Sequence, residues 1–368
     1  MELPIRPDIA RIEDYVPIEP LEVLSERLGI PIEHLIKLDG NENPYGCSPA
    51  AQEALASYQR YNIYPDPSST ELRRCLSDFL GVGMEHIFAG SGSDELLDLL
   101  VRLFILPGDK VINCVPTFGM YSFLTEVAGG VVTEVPRNAA FEVDVPAVKA
   151  AIDERTKLIF LASPNNPSGD VVRQSQILEL LETGLVVVVD EAYAEFARET
   201  VLPLVFEHRN LIVLRTLSKW AGLAGLRVGY GVFPLEIVRH LWKIKQPYNV
   251  NVAGQVAAVA TLRDWDRMRG YIDLIIRERG RLASLLATVP YLTPLPSAAN
   301  FILCRVLDGN ARAIRDTLAA RGILIRYFDT PLLRGYFRIS VGKPDQTDIL
   351  IQALRDIHQS PVWAAHTE

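Results

Sequence analysis

The sequence lacks any run of basic residues, and its 37 Lys and Arg are outnumbered by 45 Asp and Glu, for a formal net charge of -8. A protein that follows a nucleic-acid backbone usually presents a basic patch to the phosphates. We therefore expect that nucleic acid is not a partner of this chain.

Long apolar stretches are also missing, because the longest runs, such as Leu185–Val189 and Leu158–Ala162, have only the length of a strand. A helix that crosses a bilayer needs ~20 consecutive apolar residues. The N-terminal residues contain no apolar core of the signal-peptide type. Without a membrane-spanning stretch or a signal-peptide core, the sequence predicts a cytoplasmic protein that has no membrane partner.

Cysteine is scarce, and Cys47, Cys75, Cys114 and Cys304 are scattered along the chain without a short pairing. Closely spaced pairs are typical of zinc sites and of disulfide frameworks. We predict free thiols in a reducing compartment and no metal ion. Internal repeats and low-complexity tracts are missing as well.

What the sequence does contain is a succession of short apolar runs separated by helical patterns. Continuous apolar runs are typical of strands that are covered on both faces. Strand, helix and strand in succession predict an α/β fold with a mostly parallel sheet between helices. The predicted strands of this part are Lys110–Cys114, Val131–Val135, Leu158–Leu161, Leu185–Val189, Leu211–Leu214 and Val228–Phe233.

The pattern changes after about residue 251, where a long helical stretch reaches to about residue 288. Strands at Asn300–Val306, Gly322–Tyr327 and Phe337–Val341 follow, with helices between and after them. We predict an arm and the start of a small domain at 1–45, a large domain at 46–250, and a small α+β domain at 251–368. The tail from residue 359 is predicted to be mobile.

Three polar residues follow predicted strands at their carboxyl ends, where parallel sheets bind ligands. Lys219 comes shortly after Leu211–Leu214, Asp190 directly after Val189, and Asn166 in the turn after Ala162. Lys219 suits Schiff-base chemistry, which needs a desolvated amine, or it is an ordinary solvated loop lysine. Asp190 fits a partner for a protonated ring nitrogen, a helix cap or an ion pair. Asn166 fits a hydrogen-bond donor to a phenolate oxygen or merely a residue of a tight turn.

A small-residue motif, Ser91-Gly-Ser-Asp-Glu95, precedes an amphipathic helix. The free N–H groups of a helix start bind anions, although Ser93 or Asp94 also fits an N-cap. The motif has neither the lysine of a phosphate loop nor the third glycine of a dinucleotide motif. A plain nucleotide-binding module is therefore disfavoured.

Two arginines, Arg326 and Arg338, lie in otherwise apolar predicted strands. A guanidinium in such a setting needs an anion nearby. The pair indicates an anionic substrate group, with an internal ion pair as the alternative for each.

Taken in chain order, these motifs resemble the fold-type I pyridoxal-phosphate-dependent aminotransferases over nearly the whole sequence. The quoted motifs are Gly90-Ser-Gly-Ser-Asp-Glu95, Asn165-Asn-Pro-Ser-Gly169, Asp190-Glu-Ala-Tyr193, Ser218-Lys219, Arg227 and Arg338. The resemblance implies a large domain with a mostly parallel seven-stranded sheet and a smaller α+β domain. It also implies pyridoxal 5'-phosphate as the cofactor.

The resemblance assigns a role to each site residue. Lys219 would hold the cofactor and move a proton, Asp190 would pair with the ring nitrogen, and Phe118 would stack on the ring. Tyr193 and Asn166 would contact the phenolate oxygen. The expected phosphate ligands are Ser93, Asp94, Thr216, Ser218 and Arg227, with Tyr64 reaching the phosphate from the partner subunit of a homodimer.

Further motifs are similar to a branch of the family whose amino donor carries a phosphate and whose amino acceptor is 2-oxoglutarate. They are Asn41-Glu-Asn-Pro44, Tyr64-Pro-Asp66, Pro116-Thr-Phe-Gly-Met-Tyr121, Thr216-Leu-Ser-Lys219, Leu223-Ala-Gly-Leu-Arg227, Gly322-Ile-Leu-Ile-Arg326 and Phe337-Arg-Ile-Ser-Val-Gly342. The implied donor-binding residues are Arg326, Arg338, Tyr15 and Asn43.

Two departures from the family pattern are expected to bear on substrate preference: Phe118 stands where Tyr is common, and Trp220 is bulky. An aminotransferase of aromatic amino acids and a decarboxylase of phosphothreonine stay open as alternatives. A cofactor-sensing transcription regulator is disfavoured, because no DNA-binding module is visible.

Overall fold

The structure, a computed structural model, describes residues 3–12 and 18–358. Tyr15 and the tail from residue 359 lie outside these residues. The strands are β1 Ile36–Leu38, β2 Ile87–Gly90, β3 Lys110–Val115, β4 Val131–Pro136, β5 Thr156–Ala162, β6 Val186–Asp190, β7 Leu211–Thr216, β8 Gly229–Val232, β9 Leu292–Pro294, β10 Phe301–Val306, β11 Ile323–Tyr327 and β12 Tyr336–Ser340.

Helices connect most of these strands. They are α1 Leu21–Leu28, α2 Pro49–Ser57, α3 Thr70–Leu80, α4 Gly92–Phe104, α5 Met120–Val127, α6 Val145–Ala150, α7 Gln174–Leu181, α8 Ala194–Ala197, α9 Leu235–Ile244, α10 Val252–Arg263, α11 Trp265–Leu286, α12 Ala311–Ala319 and α13 Pro344–His358. No helix in the part of the chain that the structure describes is both long and apolar enough to span a membrane.

The larger sheet has seven strands in the order β2-β8-β7-β6-β5-β3-β4. Strands β3 to β7 pair in parallel, whereas β8 is antiparallel to both β7 and β2. Helices α4 and α9 pack on one face and α6 and α7 on the other, in separate apolar clusters. This arrangement confirms the predicted α/β class with its mostly parallel seven-stranded sheet, and it explains why β6 is a continuous run of valines.

The smaller sheet has the order β1-β11-β12-β10-β9. Strand β1, near the N-terminus, pairs in parallel with β11, so Ile36 lies beside Ile323. The segment that follows β1 therefore leaves the smaller sheet and runs toward the carboxyl ends of the larger one. The domain boundaries at residues 45 and 250 stay a prediction.

Two features differ from what the sequence predicts. The helical stretch after residue 251 is two helices, α10 and α11, because Asp264 leaves the helical conformation between them and accepts a hydrogen bond from the Ser48 hydroxyl. The short strands β1, β2 and β9 were not predicted, because they have only three or four residues each, and β2 includes Ala89 and Gly90, which give a weak strand signal.

Candidate active site

One cavity of about 840 Å³ lies beyond the carboxyl ends of the parallel strands and extends to the smaller sheet. Most of the residues that the sequence singles out line this cavity. They are Ser93, Asp94, Phe118, Asn166, Asp190, Tyr193, Thr216, Ser218, Lys219, Arg227, Arg326 and Arg338. The rule that parallel sheets bind ligands beyond their carboxyl ends therefore places Lys219, Asp190 and Asn166 correctly at one cavity.

Lys219 lies just beyond β7, and its Nζ donates a hydrogen bond of 3.1 Å to the Gly40 carbonyl. Burial, together with the neighbouring Arg338 guanidinium, lowers the pKa of this amine to about 8. An amine that attacks a carbonyl must be neutral, so this environment makes Lys219 a better nucleophile near neutral pH than an exposed lysine.

Asp190 ends β6 and is fully enclosed at the base of the cavity. One carboxylate oxygen accepts a hydrogen bond of 2.8 Å from the Tyr121 hydroxyl, and the other accepts one of 3.1 Å from the Ala192 N–H. Burial raises the pKa of this carboxyl to about 6. No lysine or arginine within residues 3–12 and 18–358 pairs with it, so the site suits a cationic group of a ligand.

A cradle for an anion lies where β8 meets the start of α4. The Thr216 and Ser218 hydroxyls are 2.9 Å apart, and Arg227 pairs with Asp94 at 2.8 Å. A Cβ on Gly229 would lie 2.3 Å from the Ser93 nitrogen, so only glycine allows this approach. Hydroxyls, backbone N–H groups at the helix start and a guanidinium together form a suitable phosphate site.

The cradle depends on a second glycine at the helix start. Gly92 has a φ of 78°, and a Cβ there would lie 2.4 Å from a guanidinium nitrogen of Arg227. Glycine at this position thus lets Arg227 lie across the N-terminal start of α4.

The opposite side of the cavity carries the two predicted substrate arginines. Arg338 donates to the Asn166 side-chain oxygen and, at 2.6 Å, to the Asp39 carbonyl. The guanidinium carbons of Arg326 and Arg338 lie 5.7 and 5.6 Å from the centre of the Phe328 ring. No carboxylate in the described ranges pairs with Arg326, so its charge is available to an anion in the cavity.

Two predicted residues lie elsewhere. Tyr64 is 78% exposed, stacks on Tyr248 and lines a separate cavity of about 520 Å³. Its contact with the phosphate would need a partner subunit and stays a prediction. Asn43 does not line the main cavity, because its amide donates to the Trp220 carbonyl and its oxygen accepts from the Tyr45 N–H. Its position gives no support to a role in substrate binding.

Trp220, expected to influence substrate preference, is fully buried outside the lining of the cavity. Its ring stacks on Phe79 and meets Trp265 edge to face. Its bulk therefore serves the packing of the core, and an effect of Trp220 on substrate preference stays a prediction. Phe118 does line the cavity, with its ring edge-on to Tyr121.

Sequence reasoning missed Tyr121 and Asn41 as site residues. Tyr121 stands in the quoted Pro116–Tyr121 motif, but only the start of α5 there turns its hydroxyl toward Asp190. Asn41 stands in the quoted Asn41–Pro44 motif, and its amide reaches Tyr193 across the fold. Neither contact leaves a periodic signal in the sequence.

The family model described as aminotransferase class I and II matches residues 33–354. A histidinol-phosphate aminotransferase of Roseiflexus castenholzii is 52% identical over 96% of this chain and 98% of its own length. The chloroplastic histidinol-phosphate aminotransferase 1 of Arabidopsis thaliana is 47% identical over 96% and 86%.

Among solved structures, the histidinol-phosphate aminotransferase of Sinorhizobium meliloti in complex with pyridoxal-5'-phosphate superposes with a TM-score of 0.89, at 28% identity over 98% of both chains. The L-threonine-O-3-phosphate decarboxylase of Porphyromonas gingivalis, with a TM-score of 0.79 and 22% identity over 89% and 100%, shares the fold alone. The family match covers most of the chain and agrees with the architecture around the cavity. The chain belongs to the class I and II aminotransferase family.

Proposed function

We propose that the protein is a histidinol-phosphate aminotransferase, which moves the amino group of L-histidinol phosphate to 2-oxoglutarate with pyridoxal 5'-phosphate as its cofactor. The observation that carries this proposal is that Arg326 and Arg338 face the same cavity as the buried amine of Lys219. The names of the relatives at 52% and 47% identity support the same substrate.

The residues around the cavity fit the proposed cofactor at each of its polar groups. Asp190, buried without a cation, suits a protonated ring nitrogen, and the Thr216, Ser218 and Arg227 cradle suits the phosphate. Tyr193 and Asn166 present a hydroxyl and an amide for the phenolate oxygen. When bound, the cofactor supplies an electron sink for negative charge on the substrate carbon.

Lys219 does the proton chemistry in this proposal. Its Nζ would remove the proton from the substrate carbon that carries the amine and would deliver a proton to the C4′ carbon of the cofactor, on the other side of the amine nitrogen. The pKa of about 8 leaves about a tenth of this amine neutral near pH 7, far more than in an exposed lysine, and the neutral form is the one that acts as a general base. The Gly40 carbonyl, which also lines the cavity, accepts a hydrogen bond from this amine.

The arginine pair supports the choice of substrate. Histidinol phosphate has no carboxylate and carries a phosphate dianion, which gains from two guanidinium groups. An amino acid donor needs only one arginine for its α-carboxylate. A phosphate-bearing donor therefore calls for a second arginine in the cavity. Arg326 fits this role, because no carboxylate in the described ranges pairs with it.

We also propose a cytoplasmic homodimer in which Tyr64 of one subunit contacts the cofactor phosphate of the other. Tyr61, Ile63 and Tyr64 are largely exposed in the single chain and form an apolar surface that a second copy would cover. A strictly monomeric active protein would contradict this assignment of Tyr64.

Replacing Arg326 by methionine tests the substrate. We expect KM for histidinol phosphate to rise roughly ten- to a hundred-fold, because a hydrogen bond to a charged group contributes about 1.5–3 kcal/mol. The value of kcat/KM for phenylalanine should change by less than about three-fold. Steady-state kinetics with both donors measure the two effects.

Arg305→Met is the matched control, since Arg305 is exposed on β10 and does not line the cavity. It should leave both donors unaffected. Equal losses for histidinol phosphate and phenylalanine in Arg326→Met would mean that Arg326 does not read the phosphate.

A further inference from the structure

Asn41 belongs to the segment that runs from β1 into the cavity, and its backbone is held in an unusual conformation. Its φ is 53°, in the left-handed region, and the residue is only 1% exposed. Its N–H donates to the Ser340 hydroxyl at 2.8 Å, and its carbonyl accepts from the Asn300 amide at 2.9 Å. The smaller sheet therefore fixes this backbone directly over the site.

The side chain of Asn41 is fixed in one orientation as well. The Ser340 hydroxyl donates to its oxygen at 2.9 Å, so its Nδ2 faces the other way and donates to the Tyr193 hydroxyl at 3.0 Å. Because the Tyr193 oxygen accepts this bond, its own proton must point elsewhere. The Tyr193 hydroxyl proton can then point into the cavity that this residue lines.

We infer that Asn41 is a positioning residue that aims the Tyr193 hydroxyl proton at the phenolate oxygen of the cofactor. The inference rests on the proposed function, in which Tyr193 contacts that oxygen. A hydroxyl that accepts one hydrogen bond donates a stronger one, so Asn41 both orients and strengthens the donor. Ser340 ends β12 and Asn300 directly precedes β10, so the residues that hold Asn41 in place belong to the edge of the smaller sheet that faces the cavity.

Asn41→Gly isolates the side chain. Glycine adopts a positive φ readily, so both backbone hydrogen bonds to Ser340 and Asn300 remain possible. The measured quantity is the pH midpoint at which the visible absorbance of the bound cofactor changes. A donor to the phenolate stabilises the deprotonated form, so a weaker donor raises this midpoint. We expect a rise of about half a pH unit, roughly a three-fold change in proton affinity.

A double-mutant cycle with Tyr193→Phe separates positioning from mere support of the fold. Tyr193→Phe should raise the midpoint further than Asn41→Gly does. Adding Asn41→Gly to Tyr193→Phe should then change nothing, because the donor is already gone. An unchanged midpoint in Asn41→Gly, or an equal shift in both backgrounds, would overturn the inference.

Ser340→Ala provides a second variant if Asn41→Gly does not fold. It keeps Asn41 but removes the hydroxyl that orients the Asn41 amide. We therefore expect the pH midpoint to rise by less than it does in Asn41→Gly, and only when Tyr193 is present. No shift in Ser340→Ala would overturn the inference. A wild-type protein without visible cofactor absorbance would instead contradict the proposed function, and this outcome is distinct from the others.

Discussion

Replacing Lys219 by alanine is expected to lower kcat for transamination by roughly a thousand-fold or more, because the amine that moves the proton is lost. The cavity offers no substitute, since among the residues that line it Lys219 is the one lysine in the described part of the chain. Glutamate formation from histidinol phosphate and 2-oxoglutarate measures the loss.

Two variants control this experiment. Lys219→Arg keeps the positive charge but cannot act as a base, so it should be as inactive as Lys219→Ala. Lys343→Ala removes an exposed lysine outside the cavity and should retain full activity. Turnover within ten-fold of the wild type in Lys219→Ala would show that another group moves the proton.

Replacing Asp190 by asparagine is expected to lower kcat by roughly a hundred- to a thousand-fold while changing KM much less. The carboxylate is buried without a cation of its own, and its negative charge would keep the cofactor ring nitrogen protonated during the reaction. The amide has the same shape but no charge. Steady-state kinetics with saturating cofactor measure the effect.

Tyr121→Phe is the matched control for this prediction. It removes the hydrogen bond of 2.8 Å to the Asp190 carboxylate but leaves the charge in place. Loss of one such bond should lower kcat by about ten-fold or less. If Asp190→Asn kept near wild-type turnover, or lost no more than Tyr121→Phe, the charge at this position would not matter for the reaction.

The sequence predicts the base of the site well because strand ends are visible in it. Asp190 and Lys219 follow continuous apolar runs, and parallel strands bring their carboxyl ends to one edge. Strand β8 was predicted at Val228–Phe233, but its antiparallel direction was not, since an apolar run does not reveal the direction of a strand.

The contacts that the sequence did not reveal join residues far apart along the chain. Asn41 lies in the loop after β1, and it hydrogen-bonds to Tyr193, which directly precedes α8, and to Ser340, which ends β12. No spacing or periodicity in the sequence predicts contacts between segments so far apart. Asn43, chosen from the same motif, turns instead to the Trp220 carbonyl. A loop outside the regular elements gives no way to tell which of its asparagines faces the cavity.

The most direct test of the proposed function follows the visible absorbance of the cofactor-loaded protein after addition of a single donor, without keto acid. L-Histidinol phosphate is added to one sample and L-phenylalanine to another. We expect rapid loss of the absorbance with histidinol phosphate and a much slower loss with phenylalanine. Equal or faster loss with phenylalanine would contradict the proposed substrate, and no visible absorbance after cofactor addition would contradict the assignment of Lys219.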